Sequence, residues 1–109
     1  MHELSITQSV VDTVNERMAG QRVVSLRLEV GRLSGVVPDA MRFCFELVTD
    51  KTVLEGARLD IDETAGRAHC RGCGQDFTLT DLILLCPCGS ADVDVTAGRE
   101  LVIKSVEVA

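Results

Sequence analysis

The 109-residue sequence predicts an α+β fold: a small three-stranded sheet with two helices on one face and a four-cysteine module inserted before the last strand. Two segments with helical spacing of apolar residues, three with strand character and one Gly- and Cys-rich stretch carry that prediction. The length suits one domain with a small satellite. Hydrophobic residues are 46% of the chain, enough for a modest core and too many for a disordered chain.

The first helix is expected over residues 4–19, where Ile6, Val10, Val14 and Met18, with Val11 beside them, form one face. Gly20 follows as its C-terminal cap. "RVVSLRLEVG" then alternates, placing Val24, Leu26, Leu28 and Val30 on one side of a strand and Ser25, Arg27 and Glu29 on the other. "GRLSG" is a turn. Pro38 and Asp39 open the second helix, since proline is tolerated in a first turn and an acid there favours the helix dipole. Its apolar positions Met41, Cys44, Phe45 and Val48 follow helical spacing, so Cys44 belongs to the buried face as a small hydrophobe. "ARLDIDE" (57–63) is a second alternating strand. "RELVIKSVEV" (99–108) is a third, and its more continuous apolarity suggests a central place in the sheet.

Residues 1–64, completed by 99–109, form the helix-and-sheet part. Residues 65–98 form the insert, bounded on each side by Thr-Ala-Gly (Thr64–Gly66 and Thr96–Gly98).

Charge and composition exclude several functions. Acidic residues outnumber basic ones by 17 to 11, the basic ones are spread along the chain, and there is no Trp or Tyr. Nucleic-acid binding needs phosphate neutralisation, and usually stacking for single strands. Neither is present. No apolar run approaches the ~18 residues of a membrane span, and "MHELSITQSVV" lacks a basic n-region and an apolar h-region. A cytoplasmic protein is expected. "GRLSG" lacks the lysine of a phosphate loop, and Asp60, Asp62 and Glu63 read as a solvated strand edge. No catalytic constellation emerges, so the chain is not expected to be an enzyme.

The insert holds four of the five cysteines, as "CRGCG" (Cys70, Cys73) and "CPCGS" (Cys86, Cys88), with 12 residues between the pairs. Two cysteine pairs separated by a short hairpin point to a structural Zn(2+) site, a zinc ribbon. Gly74 and Gly89 let backbone amides face the sulfurs. About 30 residues bury too little apolar area to fold unaided, whereas structural zinc supplies on the order of 10 kcal/mol. Disulfides fit a reducing cytoplasm poorly, and a thioredoxin-like CxxC would open a helix rather than sit in a Gly-rich turn. His69 is adjacent to the cluster and reads as a surface residue beside a strand end.

The other chemistry is at the N-terminus. The Met1 α-amine, the His2 amide and His2 Nδ1 can close five- and six-membered chelate rings around one ion, and Glu3 adds a backbone nitrogen and a carboxylate. Nitrogen-rich planar sites suit Ni(II) or Cu(II). Bulky His2 should leave Met1 in place. By these residues alone, His2 is equally well read as an exposed terminal side chain.

Together, "MHELSIT", "LEVGRLSGVVPDAMRFCFELV" and "CRGCG…CPCGS" before "GRELVIKSVEV" resemble the HypA/HybF family of nickel metallochaperones for [NiFe]-hydrogenase maturation. The resemblance covers essentially the whole chain. It implies nickel as cargo at Met1, His2 and the Glu3 backbone, with Asp39 at an acidic position near that site. It implies zinc at Cys70, Cys73, Cys86 and Cys88. It also implies a partner GTPase, HypB, the hydrogenase large subunit as recipient, and a monomer or weak dimer. The chain departs from the family pattern in its second knuckle, Cys-x-Cys where Cys-x-x-Cys is usual. It also has Gly74 and Gly89 where some relatives carry a pH-sensing histidine. A zinc-ribbon docking adaptor without metal transfer, or a redox enzyme using Cys70 and Cys73, are the readings from other classes.

Overall fold

In a computed structural model, residues 2–109 are described. Helix α1 spans Glu3–Met18, strand β1 Val23–Gly31, helix α2 Pro38–Val48 and strand β2 Arg58–Thr64. Strands β3 (Gly66–Cys70), β4 (Asp76–Leu79) and β5 (Val93–Ala97) follow, and β6 is Leu101–Val108. One sheet has the order β2-β1-β6 and the other β4-β3-β5. β1 and β2 are parallel, as the intervening α2 crossover requires. β6 returns antiparallel to β1.

The expected elements are therefore present, with three differences. β1 is the central strand and β6 lies at the edge. Continuous apolarity in β6 does not mark burial on both faces, because Leu101, Val102 and Ile103 are all exposed. Val24 is also exposed, and Val23 takes its place in the core. The cause is a β-bulge: Val23 pairs with Val108 but Ser25 with Glu107, leaving Val24 without a partner residue and shifting the alternation by one. At the end of α1 it is Ala19, with φ 50°, that turns the chain into the left-handed region, ahead of Gly20 at φ 88°.

The main core joins Val11 and Val14 of α1, Val23, Leu26, Leu28 and Val30 of β1, Met41 and Phe45 of α2, and Leu54. In-register pairs Leu26–Leu59 and Leu28–Ile61 extend it across β2. Cys44 is half-buried on α2. Opposite the helices, the sheet carries charge: Arg27 bridges Asp60 and Asp62 at 3.7 and 2.8 Å.

A second core gathers Leu33, Ala68, Cys70, Phe77, Leu79 and Cys86. Leu33 lies just beyond β1, so the central strand of one sheet leads directly into the core of the other. The join is tight. Gly31 N–H donates to the Glu100 carbonyl at 2.8 Å and Leu33 N–H to the Gly98 carbonyl at 2.7 Å. A Cβ at Gly31 would overlap the Gly98 carbonyl, and one at Gly66 would lie 2.5 Å from Leu33 Cδ1.

Half-buried Glu100 fastens the same join, accepting the Thr64 hydroxyl at 2.9 Å and the Gly98 N–H at 3.0 Å. These donors, the hydroxyl foremost, hold its carboxyl below the usual glutamate value. A carboxyl depressed in the folded state stabilises above its unfolded value of about 4.3, and that contribution is lost as pH falls through the lower folded value. Glu100→Gln should therefore lower stability at pH 7. Its deficit against the wild type should shrink toward pH 3, as read by urea unfolding at the two pH values.

Candidate metal centres

The two cysteine pairs sit on two turns that bring their sulfurs together. Cys70 closes β3, and the chain reverses at once: Gly74, at φ +77°, donates its N–H to the Cys70 carbonyl at 2.8 Å. At the second knuckle Gly89, at φ +95°, donates to the Cys86 carbonyl at 2.8 Å. Side chains rarely adopt that backbone region, and glycine does so without strain. In each turn the second cysteine's N–H points at the first sulfur: Cys73 N to Cys70 Sγ and Cys88 N to Cys86 Sγ, both 3.4 Å. The shortened second knuckle thus reproduces the amide-to-sulfur contact of the first with one residue fewer. It is tighter, and its sulfur is in place.

All four Sγ atoms lie within 4.8 Å of one another. Cys70 and Cys88 are 3.8 Å apart, and Cys73 and Cys86 3.7 Å. Disulfide sulfurs stand ~2.05 Å apart, so these are thiols. A tetrahedral zinc with Zn–S of ~2.3 Å sets its sulfurs about 3.8 Å apart. The cluster has the dimensions of a zinc tetrathiolate. Cys70 and Cys86 are buried, Cys73 and Cys88 exposed, so the site is closed from below and reachable from above.

The electrostatics also favour a cation. The Cys73 N–H stabilises the Cys70 thiolate enough to bring that thiol down to about 6 against the cost of burial. At Cys86 the Cys88 N–H acts the same way. Burial and the three neighbouring sulfurs outweigh it, and the thiol is pushed up to about 12. Four thiols this close cannot all ionise without a cation among them.

His69 is not part of the cluster. Along β3, Ala68 and Cys70 point inward while Arg67 and His69 point out. Its Nδ1 lies 2.7 Å from Asp76 Oδ1 across the β3–β4 pair. Arg71, also beside the knuckle, pairs with Asp92 at 2.8 Å and with Asp94.

At the other end of the chain, His2 is the exposed residue that precedes α1. The Met1 amine lies outside the described residues. Among the described residues the first bond of the helix runs from Ile6 N–H to the His2 carbonyl at 3.0 Å, and the first amides of a helix have no acceptor within its ladder. Removing a proton from the His2 or Glu3 amide costs no helical hydrogen bond.

Glu3 behaves in a way sequence reasoning missed. It is buried, 6% exposed, and one carboxylate oxygen accepts the Val37 N–H at 3.0 Å. Val37 is the residue that caps α2. This contact brings the start of α2 to the start of α1, the two ends that carry Asp39 and His2. No local pattern signals a meeting of residues 34 positions apart. Asp39 itself is 95% exposed and paired with Arg42 at 3.0 Å.

Comparison with known proteins bears on the whole chain. Residues 1–108 match the family described as "HypA: Hydrogenase/urease nickel incorporation, metallochaperone, hypA". The chain is 50% identical over 109 residues to the hydrogenase maturation factor HypA of Geobacter metallireducens, covering 99% of both sequences. It is 48% identical over 108 residues to that of Trichormus variabilis, covering 99% of this chain and 96% of the relative. The solution structure of the Ni metallochaperone HypA from Helicobacter pylori has the same fold, with a TM-score of 0.68 at 23% identity, over 99% of this chain and 97% of that one.

Proposed function

Because the chain belongs to the HypA family of hydrogenase/urease nickel-incorporation metallochaperones, we propose that it carries Ni(II) at its N-terminus and delivers it during [NiFe]-hydrogenase maturation. The single observation that carries this reading is the full-length family match, which includes the His2 terminus and the four-cysteine module. Residues 1–64 with 99–109 form the nickel-binding part, and 65–98 the zinc-binding module.

Nickel is cargo. The Met1 α-amine, the His2 amide and imidazole, and the Glu3 backbone nitrogen supply a nitrogen-rich planar set suited to Ni(II). The Glu3 carboxylate meanwhile holds α2 against α1, and Asp39 stands at the head of α2 as an acid beside the site. An exposed terminal chelate is open to a competing ligand set, which suits a carrier better than a closed pocket does. Zinc, held by Cys70, Cys73, Cys86 and Cys88, is structural, and a closed tetrathiolate leaves it no open position for catalysis. The chain acts as a maturation factor rather than an enzyme, in the cytoplasm, with the GTPase HypB as donor-side partner and the hydrogenase large subunit as recipient. No helix among the described residues is long and apolar enough to cross a membrane.

Titration of the untagged, zinc-loaded chain with Ni(II) tests this. One nickel per chain should bind with release of protons, since every nitrogen ligand must be deprotonated to coordinate. Binding should weaken as the solution is acidified, and zinc content should stay constant. A nickel that binds without proton release, or only in place of zinc, would contradict the terminal chelate.

A further inference from the structure

The four sulfurs of the cysteine cluster are not equivalent. Cys70 and Cys86 are buried, whereas Cys73 and Cys88 are exposed. Backbone amides divide them further. Cys70 Sγ accepts the Cys73 N–H and Cys86 Sγ accepts the Cys88 N–H, both at 3.4 Å. The Gln75 backbone N–H faces the Cys73 sulfur, and the Gln75 side chain lies 3.9 Å from it. Among the described residues no backbone N–H donates to Cys88 Sγ. The cause is written in the sequence. The second knuckle is one residue shorter than the first, and the single residue between its cysteines is Pro87, which has no N–H.

Zinc holds all four sulfurs as thiolates, the form that attacks electrophiles. An amide hydrogen bond draws charge away from a thiolate and blunts it, while exposure admits the reagent. Cys88 alone among the four is both exposed and without an amide donor. Its neighbour completes the arrangement. Cys70 Sγ lies 3.8 Å away across the two knuckles, already in contact although itself closed to solvent. Cys86 suits the same step poorly, because with only Pro87 between them the two cysteines would close a small, strained ring. An exposed thiolate beside a second cysteine that can resolve it is the arrangement of oxidant-responsive thiols.

We propose that Cys88 is a peroxide-reactive site, at which hydrogen peroxide converts Cys88 and Cys70 into a disulfide across the two knuckles and zinc leaves. The Cys88 thiolate attacks one peroxide oxygen. The S–O bond forms as the O–O bond breaks, and the departing hydroxide takes a proton from solvent to become water. Cys88 is then a sulfenic acid. The Cys70 thiolate attacks that sulfur, the S–S bond forms, and the S–O bond breaks to release a second hydroxide, which is protonated in turn. Two thiolates have lost two electrons, and one peroxide has been reduced to two waters. Zinc is left with Cys73 and Cys86 alone and is lost, since a structural site needs four ligands. The new bond ties the same two knuckles that zinc tied, so they stay together, and reduction by a dithiol restores the site. The step belongs to the zinc module and is independent of what the N-terminus carries.

Equimolar hydrogen peroxide added to the full zinc-loaded chain tests this, with zinc release read by a chromogenic chelator and disulfides by peptide mass spectrometry. One zinc should be released per disulfide formed. Trypsin cuts after Arg67 and Arg71, so residues 68–71, which hold Cys70, should appear joined to the peptide that holds Cys88. Dimedone, which traps sulfenic acids, should mark Cys88 first. Cys88→His removes the reactive sulfur but keeps a zinc ligand, and should slow zinc release about tenfold or more. Cys73→His removes the other exposed sulfur and should leave the rate within about threefold of the wild type. Zinc content before oxidation verifies that both variants are loaded. Where one is not, the disulfide map and the dimedone adduct of the wild type decide alone. A disulfide joining Cys70 to Cys73, an adduct formed first at Cys73, or equal rates for the two variants overturns the proposal.

Discussion

Replacing His2 by alanine should abolish tight Ni(II) binding while leaving the fold and the zinc content unchanged. In the proposed terminal chelate the imidazole closes the six-membered ring, so its loss would remove a ligand outright. Disturbing even the outer partners of a metal site costs ~10–100-fold in affinity, so losing a direct ligand should cost more than about a hundredfold. The fold should not respond, because His2 is exposed and its side chain makes no capping hydrogen bond to α1. One residue added before Met1 should be nearly as damaging, since it turns the amine into an amide. A C-terminal tag should be harmless to nickel binding. Isothermal titration of the three proteins decides the matter: nickel affinity that survives both the His2 and the terminal change would remove the N-terminus from the site.

Stripping zinc, or replacing Cys70 by serine, should unfold residues 65–98 while the sheet of β1, β2 and β6 persists. The second core has six buried residues, and two of them, Cys70 and Cys86, are themselves candidate ligands. What is left cannot balance backbone ordering costs of ~1–2 kcal/mol per residue, whereas zinc supplies on the order of 10 kcal/mol or more. Amide exchange should show protection lost throughout β3, β4 and β5 and retained in β1 and β2. Nickel binding at the N-terminus should fall far less than hydrogenase maturation does. A chelator-treated protein that keeps slow exchange in β3 would show that packing around Leu33 and Phe77 is sufficient by itself.

The helices and the cysteine cluster were legible in the sequence because their signals are local. Helical spacing placed Val11, Val14, Met41 and Phe45 in the core where they lie, and glycine after each cysteine pair matched the turns at Gly74 and Gly89. Strand detail was less legible. Val24 and Val23 are the same residue type, and only the cross-strand register with β6 decides which of them faces inward. β6 read as central because an exposed apolar edge and a buried strand share one composition, and sheet order is a property of the whole fold. The Glu3–Val37 contact lay beyond reach for the same reason. At the second knuckle the sequence shows one residue fewer than the family pattern, and where that leaves the sulfur depends on the backbone path through Cys88.

The position at which α1 begins also bears on how fast cargo can change hands. Among the described residues its first hydrogen bond starts at Ile6, so in the proposed chelate a nickel ion on the His2 and Glu3 nitrogens would sit ahead of the helical ladder. Loading and release at the proposed chelate would then need no turn of α1 to melt and reform. The residence time of the ion is then set by ligand substitution at nickel and by proton movement, both of which an approaching acceptor can accelerate by offering its own donor atoms. On the proposed terminal chelate, transfer would then pass through a coordination sphere shared with the recipient, and its rate would depend on the donor atoms the recipient offers.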